Sequence, residues 1–496
     1  SSGMAMAHWE IQGWMILILG WVFVPFYSRS MVYTMPEFLE RRYNPQSRTI
    51  LSVISLVSYV LTKVAVTVYA GGLVFQQVFG IKELWGIDFF WIAAIGLVVL
   101  TALYTIFGGM KSVLYTSVLQ TPILLLGSLI ILVLGFKELG GWDEMMRVCG
   151  AVTVNDYGDT MTNLIRSNDD ANFPWLGALI GSAIIGFWYW CTDQFIVQRV
   201  LSGKNEKEAR RGTIFGAYLK LLPVFLFLIP GMIAFALHQK YIGAGGEGFL
   251  PMLANGTANA DAAFPTLVAK LLPAGVKGLV VCGILAALMS SLASLFNSSA
   301  MLFTIDFYKK YRPKASEKTL LYVGRVATVV VVVLGILWIP VMKSVGSVLY
   351  NYLQDVQSVL APGIAAAFLL GICSKKATPK GGMWGLIAGF IIGITRLGAK
   401  VYYTSGATFS DSWFKYLFYD TNWLFFCGGM LLFCMLVIVV VSRFTTPAPA
   451  EQIVGLTFGS TTDEQKAVTR ASWNKWDVIH SAIIILITVV FYWYFW

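Results

Sequence analysis

"FFWIAAIGLVVLTALYTIF", residues 89–107, decides the fold class because it runs for nineteen residues without a charged side chain. A helix of about 20 apolar residues crosses the hydrocarbon core of a bilayer. Similar runs recur along the 496 residues, of which 57% are hydrophobic and only 12% charged. A soluble protein carries about twice that charged fraction. The sequence therefore predicts an all-α polytopic membrane protein, and not a β-barrel of alternating segments about 10 residues long.

Working outward from this stretch, twelve apolar runs have the length and composition of membrane spans. The predicted spans are 8–28, 50–79, 86–107, 113–135, 174–198, 213–238, 265–304, 319–341, 346–373, 381–398, 421–442 and 476–496.

Lys and Arg residues are divided unequally between the two alternating sets of loops. The set that contains 29–49, 199–212 and 305–318 holds 22 of them, and the other set holds 8. Because basic loops stay on the cytoplasmic side, both ends of this chain are predicted to lie outside. The net charge of +10 then reflects these loops rather than a nucleic-acid partner. The acidic loop 136–173 is predicted to form an external cap, and 443–475, with "TTPAPAEQ", a flexible cytoplasmic linker.

One predicted span contains many small polar residues, in "LAALMSSLASLFNSS", residues 285–299. Ser290, Ser291, Ser294 and Ser298 recur at spacings of three and four, so they share one face of a helix. Two interpretations remain open. Small residues allow helices to pack closely, whereas hydroxyl and carbonyl oxygens suit a hard cation such as sodium.

Three further polar side chains fall in or next to predicted spans. Lys220 in "GAYLKLLPVF" either faces a partner or cavity, or extends its ammonium group to the membrane surface. Gln354 lies on one helical face with Gln357, which also suits hydrogen bonding between helices. Glu10 in "MAHWEIQGW" opens the first span, where an exposed position at the interface is equally consistent with the sequence.

The stretch "GFWYWCTDQFIVQR", residues 186–199, places three aromatic residues beside amide and carboxylate groups. An aromatic belt at the membrane interface is one interpretation. The other is a sugar site, in which rings cover the apolar C–H face and polar groups bind the hydroxyls.

At these residues the chain resembles the sodium/solute symporter family, and more closely its sodium/glucose cotransporter branch. The resemblance covers most of residues 1–400, in order, through "TMPEFLERRY", "WYWCTDQFIVQRVLSGKN", "AYLKLLPVFLFLIPGMI", "FPTLVAKLLPAGVKGL", "LMSSLASLFNSSAMLFTIDFY", "GRVATVVVVVLGILWIPV" and "YNYLQDVQSVLAPGIAAAFLLGI". It implies an inverted repeat of five plus five helices. It also implies a transporter rather than an enzyme.

The resemblance implies a role for ten residues. The implied positions are Ala287, Ser290 and Ser291 for a sodium ion; Glu10, Trp190, Lys220 and Gln354 for contacts to a sugar; Tyr189 for an aromatic ring that closes over the sugar from the inside; and Trp9 and Tyr350 for an outer gate.

The resemblance also implies a domain organisation. Residues 1–373 match the second to tenth core helices, 374–442 are peripheral spans, 443–475 form the linker and 476–496 the terminal span. We therefore expect the family's leading helix and its first core helix, which would complete the sodium site, to lie outside this sequence. Transport is expected only of a protein that also carries them.

Two positions depart from the family pattern. Gly186 stands where relatives carry a hydrogen-bonding Thr or Asn, which leaves the preferred sugar open. Ser117 stands where relatives carry an Asp for a further sodium, so we expect one sodium per sugar. The predicted function is sodium-coupled symport of a glucose- or galactose-like sugar across the plasma membrane by alternating access. Symport of a polyol or carboxylate is one alternative, and a sugar sensor or channel with the same fold is the other.

Overall fold

The computed structural model describes residues 3–32, 34–253, 256–345, 349–404 and 412–496. Within these ranges it describes the backbone but not the side chains of 104, 106–114, 116–117, 119, 342–345, 351 and 412.

Among the described residues, eleven helices are long and apolar enough to cross a membrane, which confirms the polytopic α-helical fold. These helices are α1 (Gly3–Ser30), α3 (Pro45–Phe79), α4 (Phe89–Leu139), α6 (Trp175–Thr192), α8 (Glu206–Gly243), α10 (Ala274–Tyr311), α11 (Glu317–Val345), α12 (Leu349–Cys373), α13 (Pro379–Thr404), α15 (Trp423–Arg443) and α18 (Lys475–Tyr494).

Shorter elements connect these helices. They are α2 (Met35–Arg42), the hairpin of β1 (Glu83–Leu84) with β2 (Ile87–Asp88), α5 (Trp142–Gly150), α7 (Gln194–Leu201), α9 (Ala263–Leu271), α14 (Ser412–Lys415, continued by a π-helical turn at Tyr416–Asp420), α16 (Ala450–Ile453) and α17 (Asp463–Ala471).

Helix α4 differs from the sequence prediction, because the predicted spans 86–107 and 113–135 form one continuous helix of 51 residues. The prediction of a loop at 108–112 was therefore wrong. The helix begins where the Asp88 side chain accepts a hydrogen bond from the backbone N–H of Phe90, and it ends at Gly140, whose φ is +115°. At 1.5 Å per residue its length is roughly 75 Å, which exceeds the hydrocarbon thickness of a bilayer more than twofold.

The helices pack through two large hydrophobic clusters, one centred on residues such as Phe38 and Phe368 and the other on residues such as Ile233. The backbones of α12 and α13 approach most closely at Gly363 and Gly389. A Cβ on Gly389 would lie 2.7 Å from the Cα of Gly363, so neither position has room for a side chain. Close approach of helices at small residues is typical of membrane proteins.

Segment 443–475, for which the composition predicts a flexible linker, contacts the core in the structure. It contains α16 and α17, and the Arg29 guanidinium at the end of α1 donates to the Thr469 hydroxyl at 2.5 Å. The Gln452 amide donates to the backbone carbonyls of Arg41 and Tyr43. These hydrogen bonds hold the segment against the core, which a composition rich in Pro, Ala and Thr does not reveal.

Candidate substrate and sodium sites

Helix α1 is interrupted directly after Glu10, and this interruption positions the Glu10 side chain. Ile11 and Gln12 form a turn between the helical segments Ala7–Glu10 and Gly13–Ile18. The Glu10 carboxylate accepts a hydrogen bond from the Lys220 Nζ of α8 at 2.8 Å, and the two side chains are 25% and 15% exposed. Lys220 therefore forms an ion pair within the bundle and does not extend to the membrane surface.

Helix α12 brings two more of the predicted residues to the same place. The Tyr350 hydroxyl donates to Glu10 Oε1 at 3.4 Å, and Gln354 lies beside that hydroxyl, one helical turn further along α12. The ring of Trp190 lies 5.7 Å from the Lys220 Nζ. These five residues, from four different helices, are called the Glu10 cluster below.

One acceptor of the Glu10 cluster is left unused. Gln354 is 7% exposed, and its Oε1 has no hydrogen-bond partner in the described part of the chain. A buried polar atom without a partner is costly and calls for an explanation, such as a ligand that supplies a donor.

A carboxylate outside the membrane spans holds the start of α12. The backbone N–H of Leu349 donates to both carboxylate oxygens of Asp261, at 3.1 and 3.2 Å. Burial raises the pKa of the Asp261 carboxyl above its usual range, and the hydrogen bond from Leu349 opposes that rise. A negative charge at a helix N-terminus is favourable. Asp261 thus fixes the end of α12 that carries Tyr350.

The predicted inner aromatic residue lies on a widened turn. Trp188–Thr192 is π-helical, and within it the rings of Tyr189 and Trp190 meet edge to face with centroids 5.1 Å apart. Tyr189 also lies 5.0 Å from the Nζ of Lys63 on α3. Tyr189 therefore connects the Glu10 cluster with a second buried charge.

The structure places Trp9 apart from its sequence neighbour Glu10. The Trp9 ring stacks on Trp423 at 5.4 Å and meets the edge of Phe173 at 5.6 Å. It is 4% exposed, and its Nε1 has no hydrogen-bond partner among the described residues. This aromatic group joins the start of α1 to the loop that precedes α6 and to the first residue of α15.

The predicted sodium residues lie on α10. Ser290 is buried, Ala287 and Ser291 are partly exposed, and the Ser294 hydroxyl donates to the Ser290 carbonyl at 3.0 Å. Further along the same face, the Ser298 hydroxyl accepts from the Gln198 amide of α7 at 2.6 Å. Hydrogen bonds within and between helices thus account for Ser294 and Ser298 on this polar face. A sodium site at Ala287, Ser290 and Ser291 stays a prediction.

Sequence reasoning missed one charged residue of this region, Lys63. It forms an ion pair with Asp193, which follows the π-helical turn, and the two side chains are 7% and 3% exposed. The Tyr59 hydroxyl donates to Asp193 Oδ1 at 2.8 Å, and the Lys63 Nζ lies 4.4 Å from the Phe195 ring. A lone Lys inside a 35-residue apolar helix is expensive, and this was the signal in the sequence that could have identified it.

Of the two departures from the family pattern, the structure describes one. A Cβ on Gly186 would lie 2.5 Å from Oε1 of Gln12, whose Nε2 donates to the Ser182 carbonyl at 2.9 Å. Gln12 therefore occupies the space that a side chain at 186 would need. The Ser117 side chain lies outside the described residues.

Comparison with known proteins gives a consistent result. A family model described as "Sodium:solute symporter family" matches residues 1–389. The sheep (Ovis aries) sodium/glucose cotransporter 1 is 38% identical over 450 residues, which are 87% of this chain and 67% of that protein. The human sodium/glucose cotransporter 4 is 38% identical, with coverages of 92% and 68%. The human sodium/myo-inositol cotransporter 2 is 35% identical, with 92% and 69%.

A solved structure shares the fold. It is the substrate-bound, outward-open state of a Na⁺-coupled sialic acid symporter, which superposes with a TM-score of 0.67 over 89% of this chain and 84% of that one. The identity between the two sequences is 21%, so the likeness supports the predicted inverted-repeat fold and nothing finer.

Proposed function

This chain belongs to the sodium:solute symporter family, and from that premise we propose that it carries a neutral sugar across the plasma membrane together with sodium. The observation that supports the sugar most directly is the Glu10 cluster. There a carboxylate, an ammonium group and an amide meet beside an indole ring, inside the bundle.

The charge balance of the cluster favours an uncharged solute. Glu10 and Lys220 neutralise each other at 2.8 Å. A carboxylate substrate would need an unpaired cation, because a buried charge is retained only where it is compensated. A sugar hydroxyl can donate to Glu10 and accept from Lys220 without changing that balance.

The remaining contacts fit one face and one edge of a sugar ring. Gln354 Oε1, which lacks a partner among the described residues, would accept from a hydroxyl. The Trp190 ring would cover apolar C–H groups, and Tyr189 beside it would close the site from the inside. Trp9 and Tyr350 would form the outer gate, so that the site opens to one side at a time.

Sodium would bind on α10, with the Ala287 carbonyl and the Ser290 and Ser291 hydroxyls as ligands. Oxygen ligands of this kind suit a hard monovalent cation. The Ser290 carbonyl already accepts from Ser294, so we assign the hydroxyl rather than the carbonyl of Ser290 to the ion.

A polyol is a second candidate for the solute. A relative that is 35% identical is a sodium/myo-inositol cotransporter. A cyclic polyol presents the same hydroxyls to Glu10 and Lys220, so the cluster alone does not separate the two classes.

The full-length protein in proteoliposomes tests these proposals. We expect labelled glucose, galactose or myo-inositol to accumulate above equilibrium under an inward sodium gradient and only to equilibrate without one. Binding without accumulation would indicate a sensor, and sodium-independent equilibration a channel.

Reversal potentials in the same system give the number of ions per solute. One charge moving through 100 mV contributes about 2.3 kcal/mol, and a tenfold sodium gradient adds about 1.4 kcal/mol. One ion could therefore concentrate the solute about 500-fold at most, and two ions would square that limit. We expect a stoichiometry of one. A measured value of two would contradict the expectation based on Ser117.

A further inference from the structure

A cavity of about 310 Å³ separates the end of α1 from the segment that leads into α18. We call it the basic cavity and define it by its principal lining residues, Trp21, Phe26, Arg29, Lys466, Arg470 and Trp473.

The basic cavity has three cationic lining residues and, within the described part of the chain, no acidic one. The Arg470 guanidinium lies 3.8 Å from the Trp473 ring centroid. The pair of Lys466 with Asp463 is exposed to solvent, so its contribution is small. Arg29 donates to Thr469 through one terminal nitrogen, but its Nε is buried without a hydrogen-bond partner among the described residues.

Neighbouring acids do not supply the balancing charge. Glu206 is the acid that acts on Arg29, and its carboxylate is already bound by the Arg210 guanidinium at 2.9 Å. The three cations of the basic cavity therefore favour an external anion.

The position of the basic cavity relative to the membrane limits what that anion can be. α1 ends at Ser30 and α18 begins at Lys475, so both helices reach the same membrane face here. Trp21 lies nine residues before Ser30, about 13 Å deeper along the helix, and its Nε1 donates to the Ser481 hydroxyl of α18 at 2.9 Å. The basic cavity thus extends from the head-group level into the hydrocarbon region.

We propose that the basic cavity binds one anionic glycerophospholipid. Its phosphate would lie between Arg29, Lys466 and Arg470, because basic pockets at a membrane face bind anionic head groups through charge-assisted hydrogen bonds. One of its two acyl chains would follow Trp21 and Phe26, which explains why the deeper wall is apolar. A bound lipid would connect α1 to α17. It would thereby hold segment 443–475 against the core.

The test uses the purified full-length protein after mild delipidation. Native mass spectrometry counts bound lipid, and thermal unfolding is followed with added phosphatidylglycerol or phosphatidylcholine. We expect phosphatidylglycerol, but not phosphatidylcholine, to remain bound and to raise the unfolding temperature. Because one basic residue changes affinity for an anionic membrane surface about fivefold, the Lys466→Gln/Arg470→Gln variant should bind phosphatidylglycerol roughly 25-fold more weakly.

Lys314→Gln is the matched control, since Lys314 is an exposed cation on the same predicted face but does not line the basic cavity. It should bind phosphatidylglycerol like the wild type. Equal binding of phosphatidylglycerol by the wild type and the double variant would overturn the proposal, as would equal stabilisation by the two lipids. Glycerol phosphate and inorganic phosphate distinguish a lipid from a soluble anion. If either one displaces phosphatidylglycerol at millimolar concentration, the site binds a free phosphate group and the lipid proposal fails.

Discussion

Two ion pairs lie near each other inside the bundle, and they differ in how deeply they are buried and in how completely their hydrogen bonds are formed. Lys63 and Asp193 are 7% and 3% exposed, and Tyr59 and three other aromatic residues surround them. Glu10 and Lys220 are 25% and 15% exposed, and Gln354 beside them keeps an unused acceptor.

We interpret this difference as one between a structural pair and a proposed binding pair. Lys63 and Asp193 form the closed pair: its hydrogen bonds are already formed, so it has no capacity for a ligand. Removing either partner would leave a buried charge. Glu10 and Lys220 form the open pair: it lies beside the unsatisfied Gln354 Oε1 and can exchange its contacts for those of a solute. Burial of charge in a membrane span therefore indicates a function only when the surrounding hydrogen bonds are counted as well.

The largest effect on stability is expected from a substitution that breaks the closed pair. Lys63→Met leaves Asp193 without its cation and should lower the free energy of unfolding by about 3–5 kcal/mol. Lys63→Met with Asp193→Leu removes both charges, and most of the loss should be recovered. The unfolding midpoint in detergent measures both changes. Lys220→Met is the comparison variant. If it loses as much stability as Lys63→Met, the distinction between the two pairs is wrong.

Breaking the open pair should affect the solute instead of the fold. Lys220→Ala removes a charged hydrogen-bond donor, which costs about 1.5–3 kcal/mol and so weakens solute affinity roughly tenfold or more. Initial rates of sodium-driven uptake at several solute concentrations give the KM. Lys240→Ala is the control, because Lys240 lies on the same helix but bonds to the Leu139 carbonyl outside the cluster. An unchanged KM in a stable Lys220→Ala protein would remove Lys220 from the site.

A steric change at Gly186 tests the surroundings of the open pair. Gly186→Thr places a Cβ 2.5 Å from Gln12 Oε1, and overpacking of this kind costs about 1–3 kcal/mol. Gln12 must then leave Ser182, and the order of preference among competing sugars and polyols should change. Adding Gln12→Ala should restore uptake to the Gly186→Thr protein. Additive losses in the double variant would show that the two positions do not interact.

The smallest expected effect concerns the cation. Ser291→Ala removes one neutral oxygen, worth about 0.5–1.5 kcal/mol, so the sodium concentration for half-maximal uptake should rise about two- to tenfold. Ser299→Ala is the matched control on the same helix, since the Ser299 hydroxyl has no hydrogen-bond partner among the described residues. If the two variants show the same sodium dependence, Ser291 does not bind the ion.

The sequence was sufficient for the fold class, because apolar runs of about 20 residues are diagnostic of membrane helices. It was insufficient where two runs follow each other closely. Nothing in the composition of 108–112 indicated that α4 continues through it. Composition also did not indicate the contacts of 443–475, because Thr469 and Gln452 bond to residues that lie more than 400 positions earlier in the chain.

The Glu10 cluster shows the same limit at the level of single residues. Each member is recognisable as a polar side chain in or near a span, but Glu10 and Lys220 are 210 positions apart, and no periodicity pairs them. The family resemblance supplied their common role, and the structure supplied the distance. Lys63 was missed because the stretches that carry the family resemblance do not include its span, although its intramembrane charge was visible in the sequence.

The π-helical turn at Trp188–Thr192 has a consequence for how this segment tolerates changes in length. A π turn accommodates one more residue than an α turn between the same flanking helical segments. Deleting one residue from it would let an ordinary α-helix form. The side chains within the turn, Tyr189 and Trp190 among them, would then change direction, whereas the segments on either side would keep theirs. The extra residue therefore determines the direction of these two rings and leaves the alignment of the flanking segments unchanged.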